Sequence, residues 1–225
     1  MKDGKENASK IRIDSAIGLN EFFTKRNGPE ELVSVKRNEG GFIHVADALV
    51  EDEKQRNTFK CDMLITNTRR VEANEERNEP EKMIVKGAIF DFRKSLMPVE
   101  FTVLNPLAMN YFEGLEASNS NPTFTCVWGR QISQTISRTI TEESAFGEPS
   151  VRTVTSQRKD FVITGANKET YVWDDEEFMT ATELQTLIAA RETYLASIKQ
   201  RQDEYEASKA AAAATAAPNK GGFNF

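Results

Sequence analysis

The sequence predicts a mainly β protein: a small Greek-key barrel with one short inserted helix, then a long helix and a flexible tail. Three observations lead there. The runs Met83–Arg93, Val99–Leu104 and Thr123–Ile132 are rich in β-branched and aromatic residues and are bounded by turn formers. Phe59, Cys61, Met63 and Ile65 alternate with Lys60, Asp62 and Leu64, the period of a half-buried strand. Helical spacing sustained over several turns begins only after Thr180. At 225 residues the chain can hold one good-sized domain with an appended helix.

The elements follow in order. Residues 1–39 read as an amino-terminal extension, polar and disordered over 1–10. Asp14-Ser15 caps a predicted short helix through Arg26, with Ile17, Leu19, Phe22 and Phe23 on a loose apolar face, ended by Asn27-Gly28-Pro29. A β-domain is expected over 40–178. Its first strand, Phe42–Val50, follows Gly40-Gly41, and the charged connection Glu51–Asn57 leads to the alternating strand Thr58–Thr66. Asn67–Glu81 is charged and almost free of apolar residues, so it reads as a solvated hairpin tip or a mobile loop.

After the strands at Met83 and Val99, Asn105 is an N-cap and Pro106 stands at the first helical position, where its missing N–H costs nothing. Leu107, Tyr111 and Leu115 would share one face of this helix, which Asn119-Ser120-Asn121-Pro122 closes. The Trp128 strand continues to Ile140, turns over Glu142–Pro149 and returns through Val151–Thr155; Phe161–Gly165 is the last core strand. The Ser/Thr-rich, Arg-bearing arms at 132–140 and 150–158 predict a long hairpin projecting from the domain.

Thr180-x-x-Glu183 matches a capping box, and Leu184, Leu187, Ile188, Arg191, Tyr194, Leu195 and Ile198 follow at helical spacing. An amphipathic helix over 179–209 is expected, either packed on the barrel or used for self-association. A low-complexity tail over 210–225 follows, stopped as a helix by Pro218 and Gly221-Gly222.

Composition excludes several classes. The apolar fraction is 39% and the charged fraction 28%, as in soluble proteins. No apolar run approaches the roughly 20 residues that cross a bilayer, and no apolar core follows the amino terminus, so a cytoplasmic location without membrane contact is expected. Cys61, Cys126 and the single His44 cannot supply the usual four ligands of a zinc site; two small buried hydrophobes and a strand histidine are expected instead. Asp174-Asp175 and Glu176-Glu177 read as carboxylates favouring a helix start rather than as a metal site. With no phosphate loop, Gly-x-Gly-x-x-Gly or Gly-x-Ser-x-Gly, no enzyme and no cofactor is expected. Net charge is −6, but residues 57–165 hold 13 basic and 14 acidic side chains while 166–225 hold 6 and 10. The acid excess therefore sits at the carboxyl end, and local basic strips on the β-domain can still meet phosphates.

The aromatic and basic residues of the β-domain point to one chemistry. Aromatic faces stack bases and adjacent Arg or Lys neutralise phosphates. Phe90 and Phe92 share a strand face by period two, as do Trp128 and Arg130. Phe92, Arg93, Trp128 and Arg130, with Arg138, Arg152, Arg158 and Lys159 nearby, are the candidate nucleic-acid-binding residues; the competing assignment places the rings in the barrel core.

Five or so strands with one short helix between late strands is the organisation of the OB-fold. Over roughly residues 40–165 the chain resembles the single-stranded DNA-binding proteins encoded by phages and related mobile elements. The resemblance implies a protein that coats and protects single-stranded DNA in replication or recombination, with replication or recombination proteins as further partners, in the host cytoplasm. It directs attention first to Phe92, Arg93, Trp128 and Arg130. The tail is similar in layout to that of bacterial single-strand-binding proteins, a spacer ending in an aromatic tip. Phe223-Asn224-Phe225 departs from them in having no acidic neighbours, and Lys220 is basic. The rival expectation is a structural or assembly protein of a phage, working through protein–protein contacts.

Overall fold

The computed structural model describes residues 8–25, 28–74, 79–142, 146, 150–172 and 179–215. It contains a two-stranded ribbon of β1 (Lys10–Thr24) and β2 (Glu31–Ala46), and a closed five-stranded barrel. The barrel strands are β3 (Thr58–Val71), β4 (Lys82–Phe90), β5 (Leu96–Val103), β6 (Thr123–Glu142) and β7 (Ser150–Ala166). Helix α1 (Pro106–Gly114) lies between β5 and β6, and helix α2 (Ala181–Thr215) follows the barrel.

The barrel order is β3-β4-β5-β7-β6, with β3 pairing β6 to close it and β5 pairing β7 in parallel. A three-strand meander, a helix, and two further strands closing on the first make an OB-like barrel. Alternation puts Met63, Ile65, Met83, Val85, Ile89, Val99, Phe101, Val103, Val127, Phe161 and Ile163 in the core. Helix α1 plugs the barrel with Met109 and Phe112. Its buried face differs from the expected one: Leu107 is 78% exposed, while Tyr111 and Leu115 pack at the core margin. The cap at Asn105 forms, its Oδ1 accepting from the Leu107 N–H at 2.9 Å. Asn105→Ala should lose about 1 kcal/mol of stability, read by thermal melting.

The amino-terminal segment corrects the sequence reading. The helix expected from Asp14 does not form over the described residues: Lys10–Thr24 is a strand, and Phe42–Ala46 is the end of β2 in the ribbon rather than the first barrel strand. The helical face failed because the decisive period is two. Ile17, Leu19, Glu21 and Phe23 are half-buried and alternate with exposed Ala16, Asn20 and Phe22; Gly18, buried against the Glu39 side chain, is the one break in the pattern over 16–23. Ile17 and Leu19 pack against the barrel core. Lys36, opposite Leu19, donates to the Glu100 carbonyl oxygen and sits 5.7 Å and 5.5 Å above the Phe101 and Phe161 rings. Burial lowers the Lys36 pKa, with Glu100 and Asp160 opposing that shift. The ribbon thus covers the barrel where β5 and β7 pair over only two residues. Gly40 and Gly41 have positive φ at the point where the ribbon register shifts, a conformation only glycine takes freely.

Of the segment Asn67–Glu81, the first residues extend β3 to Val71 and Asn74 bridges Glu79; residues 75–78 lie outside the described residues. Strands β6 and β7 run on past the barrel as the long hairpin foreseen, paired from Ile132↔Asp160 out to Glu142↔Ser150. The capping box also forms: the Glu183 carboxylate accepts from the Thr180 N–H at 2.9 Å and Thr180 Oγ1 accepts from the Glu183 N–H at 3.2 Å. Helix α2 packs Leu184 against Leu64, Phe124 and Phe90 on the outside of the barrel, then lies along the ribbon. There Arg191 pairs with Glu21, Lys199 with Glu30 at 2.6 Å, and the Gln202 Oε1 accepts from the Phe23 N–H at 3.0 Å. The helix continues through the alanine run to Thr215, so the tail begins later than position 210; residues 216–225, with Phe223-Asn224-Phe225, lie outside the described residues. No described helix is long and apolar enough to cross a membrane.

Candidate nucleic-acid interface

The outer face of β3 and β6 carries the strongest constellation. Thr58 stands opposite Arg130 and Lys60 opposite Trp128, so all four project to one side of the ladder. Trp128 is 39% exposed and lies outside the core, resolving its placement in favour of the surface. Gly165 is its partner on β7, and a methyl group there would come within 2.4 Å of ring atoms Cε2 and Nε1. The indole therefore lies over the bare backbone of Gly165 with its other face open. Lys54 and Gln55, from the 3-10 turn Glu53–Gln55, complete a groove of about 550 Å³ with Lys60, Trp128 and Arg130. It runs into a second groove lined by Lys54, Arg56, Arg130 and Ile132.

Among the described residues, charge pairing leaves Lys54, Lys60 and Arg130 of this surface unneutralised, while several other cations of the fold are paired. Arg12, Arg37, Arg70, Lys82, Lys86, Arg191 and Lys199 each meet a carboxylate. Among the described residues no carboxylate pairs with Lys54, Lys60 or Arg130. These three remain available to an anion beside an open aromatic face.

Phe92 and Arg93 are placed differently from the sequence reading. Strand β4 ends at Phe90, and both residues form the turn to β5, so Phe90 and Phe92 do not share a strand face. The Asp91 carboxylate shapes the turn by accepting from the N–H groups of Arg93 at 2.8 Å and Ser95 at 2.7 Å. Phe92 is thereby held 87% exposed, with the Arg93 guanidinium 5.1 Å from its ring centre. Phe90 instead packs at right angles to Phe124 under α2.

The projecting hairpin contributes by register. Arg138 stands opposite Val154, Arg152 opposite Ile140 and Arg158 opposite Gln134, at positions of the same parity as Trp128 and Arg130. The side chains of Arg138 and Arg158 lie outside the described residues. Lys159, opposite Ser133, has the other parity and does not join that face. In OB barrels, oligonucleotides commonly meet the second and third strands and the loops after strands one and four. Here that strand face is partly occupied: Phe90 and Leu96 are covered by α2, and Lys86 is bound to Glu100 at 2.7 Å. The open aromatic–basic surface lies instead on β3 and β6, continuous with the arm after the fourth barrel strand.

Sequence reasoning missed Lys54, Lys60 and Gly165. Lys60 was visible as a polar position in an alternating strand, but only the β3–β6 register sets it against Trp128. Cys61 and Cys126 are free thiols; Cys126 is buried as the sequence reading expects, and Cys61 only partly so. Burial pushes the Cys61 pKa up to about 12 and raises that of Cys126, so neither thiol is an activated nucleophile. His44 is a strand-surface residue 3.4 Å from Asp14. No group of three or more potential metal-ligating side chains occurs among the described residues, which do not include Asp174–Glu177.

The family model of YorF matches residues 1–201, through ribbon, barrel and most of α2, and the chain belongs to the YorF family. No curated protein and no solved structure matches it.

Proposed function

We propose that the chain is a non-enzymatic single-stranded DNA-binding protein that coats and protects exposed strand during replication or recombination of phage-type DNA. Bases stack on Trp128 while Lys54, Lys60 and Arg130 neutralise phosphates, and the β6–β7 arm extends the track. The observation that carries this is the open indole over Gly165, ringed by cations without carboxylate partners. The OB-like topology adds support, since such barrels often hold oligonucleotides. The acidic net charge of −6 and the absence of a basic recognition helix among the described residues favour single strands over duplex.

The test is titration of the full chain with oligo-dT and with duplex at two salt concentrations. Binding should favour the single strand and weaken with salt. Arg130→Ala should melt as the parent does and reduce the slope of log affinity against log salt by about 0.7–1. Equal affinity for both forms, or none at low salt, removes the proposal. A structural or assembly role is the second reading. It is favoured by the exposed Ile11, Ile13, Ile43 and Val45 of the ribbon, and it gains if those titrations show no binding.

A further inference from the structure

The inner face of the ribbon continues past the barrel. Ile17 and Leu19 pack on the core, and Ile13 and Ile11 prolong the same stripe with Ile43 and Val45 opposite them, all four at least half exposed. Where the overhang begins, Ile13, Ser15 and Ile17 roof a cleft of about 560 Å³ between ribbon and barrel mouth. Its apolar walls include Ile13 and Phe59, and Phe92 stands on the opposite rim. Asn38 and Gln131 line it too, and their amides are joined by a 3.3 Å hydrogen bond from Asn38 Nδ2 to Gln131 Oε1. That bond leaves one amide oxygen and one amide NH₂ uncommitted, and the opposite orientation of both amides leaves the same complement. An aromatic rim, apolar walls and a paired donor and acceptor match a flat heterocycle with donors and acceptors on its edge.

The cleft is continuous with the Trp128 groove. Thr58, Phe59 and Lys60 line both. A strand held by Lys60 can therefore place one base on Trp128 and direct another under the ribbon.

We propose that the ribbon–barrel cleft is a nucleobase-binding pocket, in which a splayed-out base stacks on Phe92 and its edge is read by the Asn38–Gln131 amide pair. It rests on the single-strand-binding reading and adds base preference to it, with the amino-terminal ribbon as part of the interface. Single-stranded nucleic acids are read in this way, through unstacked bases laid on aromatic rings and hydrogen-bonded along their edges.

The experiment measures affinities of the full chain for oligo-dT, oligo-dC and oligo-dA of equal length, with Phe92→Ala and an Asn38→Ala/Gln131→Ala double variant. Wild type should rank the three homopolymers. Phe92→Ala should weaken the preferred one by about fivefold or more, the loss of one stacked base. Phe92 is exposed, so folding should persist. The double variant should bring the three affinities together while retaining salt-dependent binding. Photo-crosslinking with 5-iodouracil in oligo-dT should label the peptides carrying Phe92 or Phe59. Equal wild-type affinities, variants that bind and rank as wild type does, or crosslinks confined to the Trp128 peptide overturn the pocket while leaving the Trp128 interface standing. No single-strand binding by wild type overturns both.

Discussion

Glu21→Ala is expected to cost the folded protein about 3–5 kcal/mol, measured by denaturant unfolding. The Glu21 side chain is 1% exposed, where ribbon meets α2. Its carboxylate accepts both terminal nitrogens of Arg191, one at 2.6 Å, and the Ser34 hydroxyl at 2.7 Å. Removing it strands a guanidinium whose Nε already has no partner. The cost therefore comes mainly from an uncompensated buried charge rather than from the attraction lost. An exposed pair such as Arg12–Asp14 should change stability far less when broken, because solvent screens both charges.

The same group gives a pH signature. Burial raises the pKa of Glu21, but the Arg191 and Ser34 hydrogen bonds and the Arg191 charge outweigh it, and the net shift is downward from 4.5. The folded state thus holds the carboxylate more strongly than the unfolded chain does. Its contribution is complete above about 4.5 and is lost as pH falls through the lowered folded value. Parent protein should lose stability on acidification below that point, and Glu21→Gln should lessen the loss. An identical acid limb in the variant would show that other carboxylates control it.

Much of the barrel was legible because its strands alternate and are bounded by clear turn residues. Asn105-Pro106 marked α1, Thr180-x-x-Glu183 marked α2, and the Ser/Thr-rich arms marked the hairpin from local chemistry alone. The ribbon was not legible. Ile17, Leu19, Phe22 and Phe23 suit a helix or a strand at short range, and the choice falls to pairing with β2 and to the barrel face beneath. The interface was partly legible for a related reason. Trp128 and Arg130 are two residues apart on one strand, so period two suffices to join them. Lys60 is far away in sequence and comes beside Trp128 only when β3 closes on β6. Phe92 was assigned to a strand because the apolar run carries through Phe90, whereas the Asp91 carboxylate turns the chain.

Trp128→Ala should separate stacking from packing. An open ring on a sheet surface leaves little cavity when truncated, so melting should change modestly, against the 3–5 kcal/mol of a core aromatic. Single-strand affinity should fall by about 1–3 kcal/mol, or roughly 5- to 150-fold. Gly165→Ala supplies a sharper version that keeps the indole. The added methyl group would meet Cε2 and Nε1 at 2.4 Å, and the ring can yield by swinging toward solvent because it is the far end of a side chain. The fold should therefore survive while the stacking platform is lost. In a Trp173→Phe background, where Trp128 is the only tryptophan, Gly165→Ala should shift the emission to the red and abolish most of the quenching by oligo-dT. Both variants binding as the parent does, with unchanged melting, would remove Trp128 from the interface and move the search to the β6–β7 arm. A Gly165→Ala protein that binds weakly while Trp128→Ala binds normally would mean that the displaced ring obstructs a site it does not form.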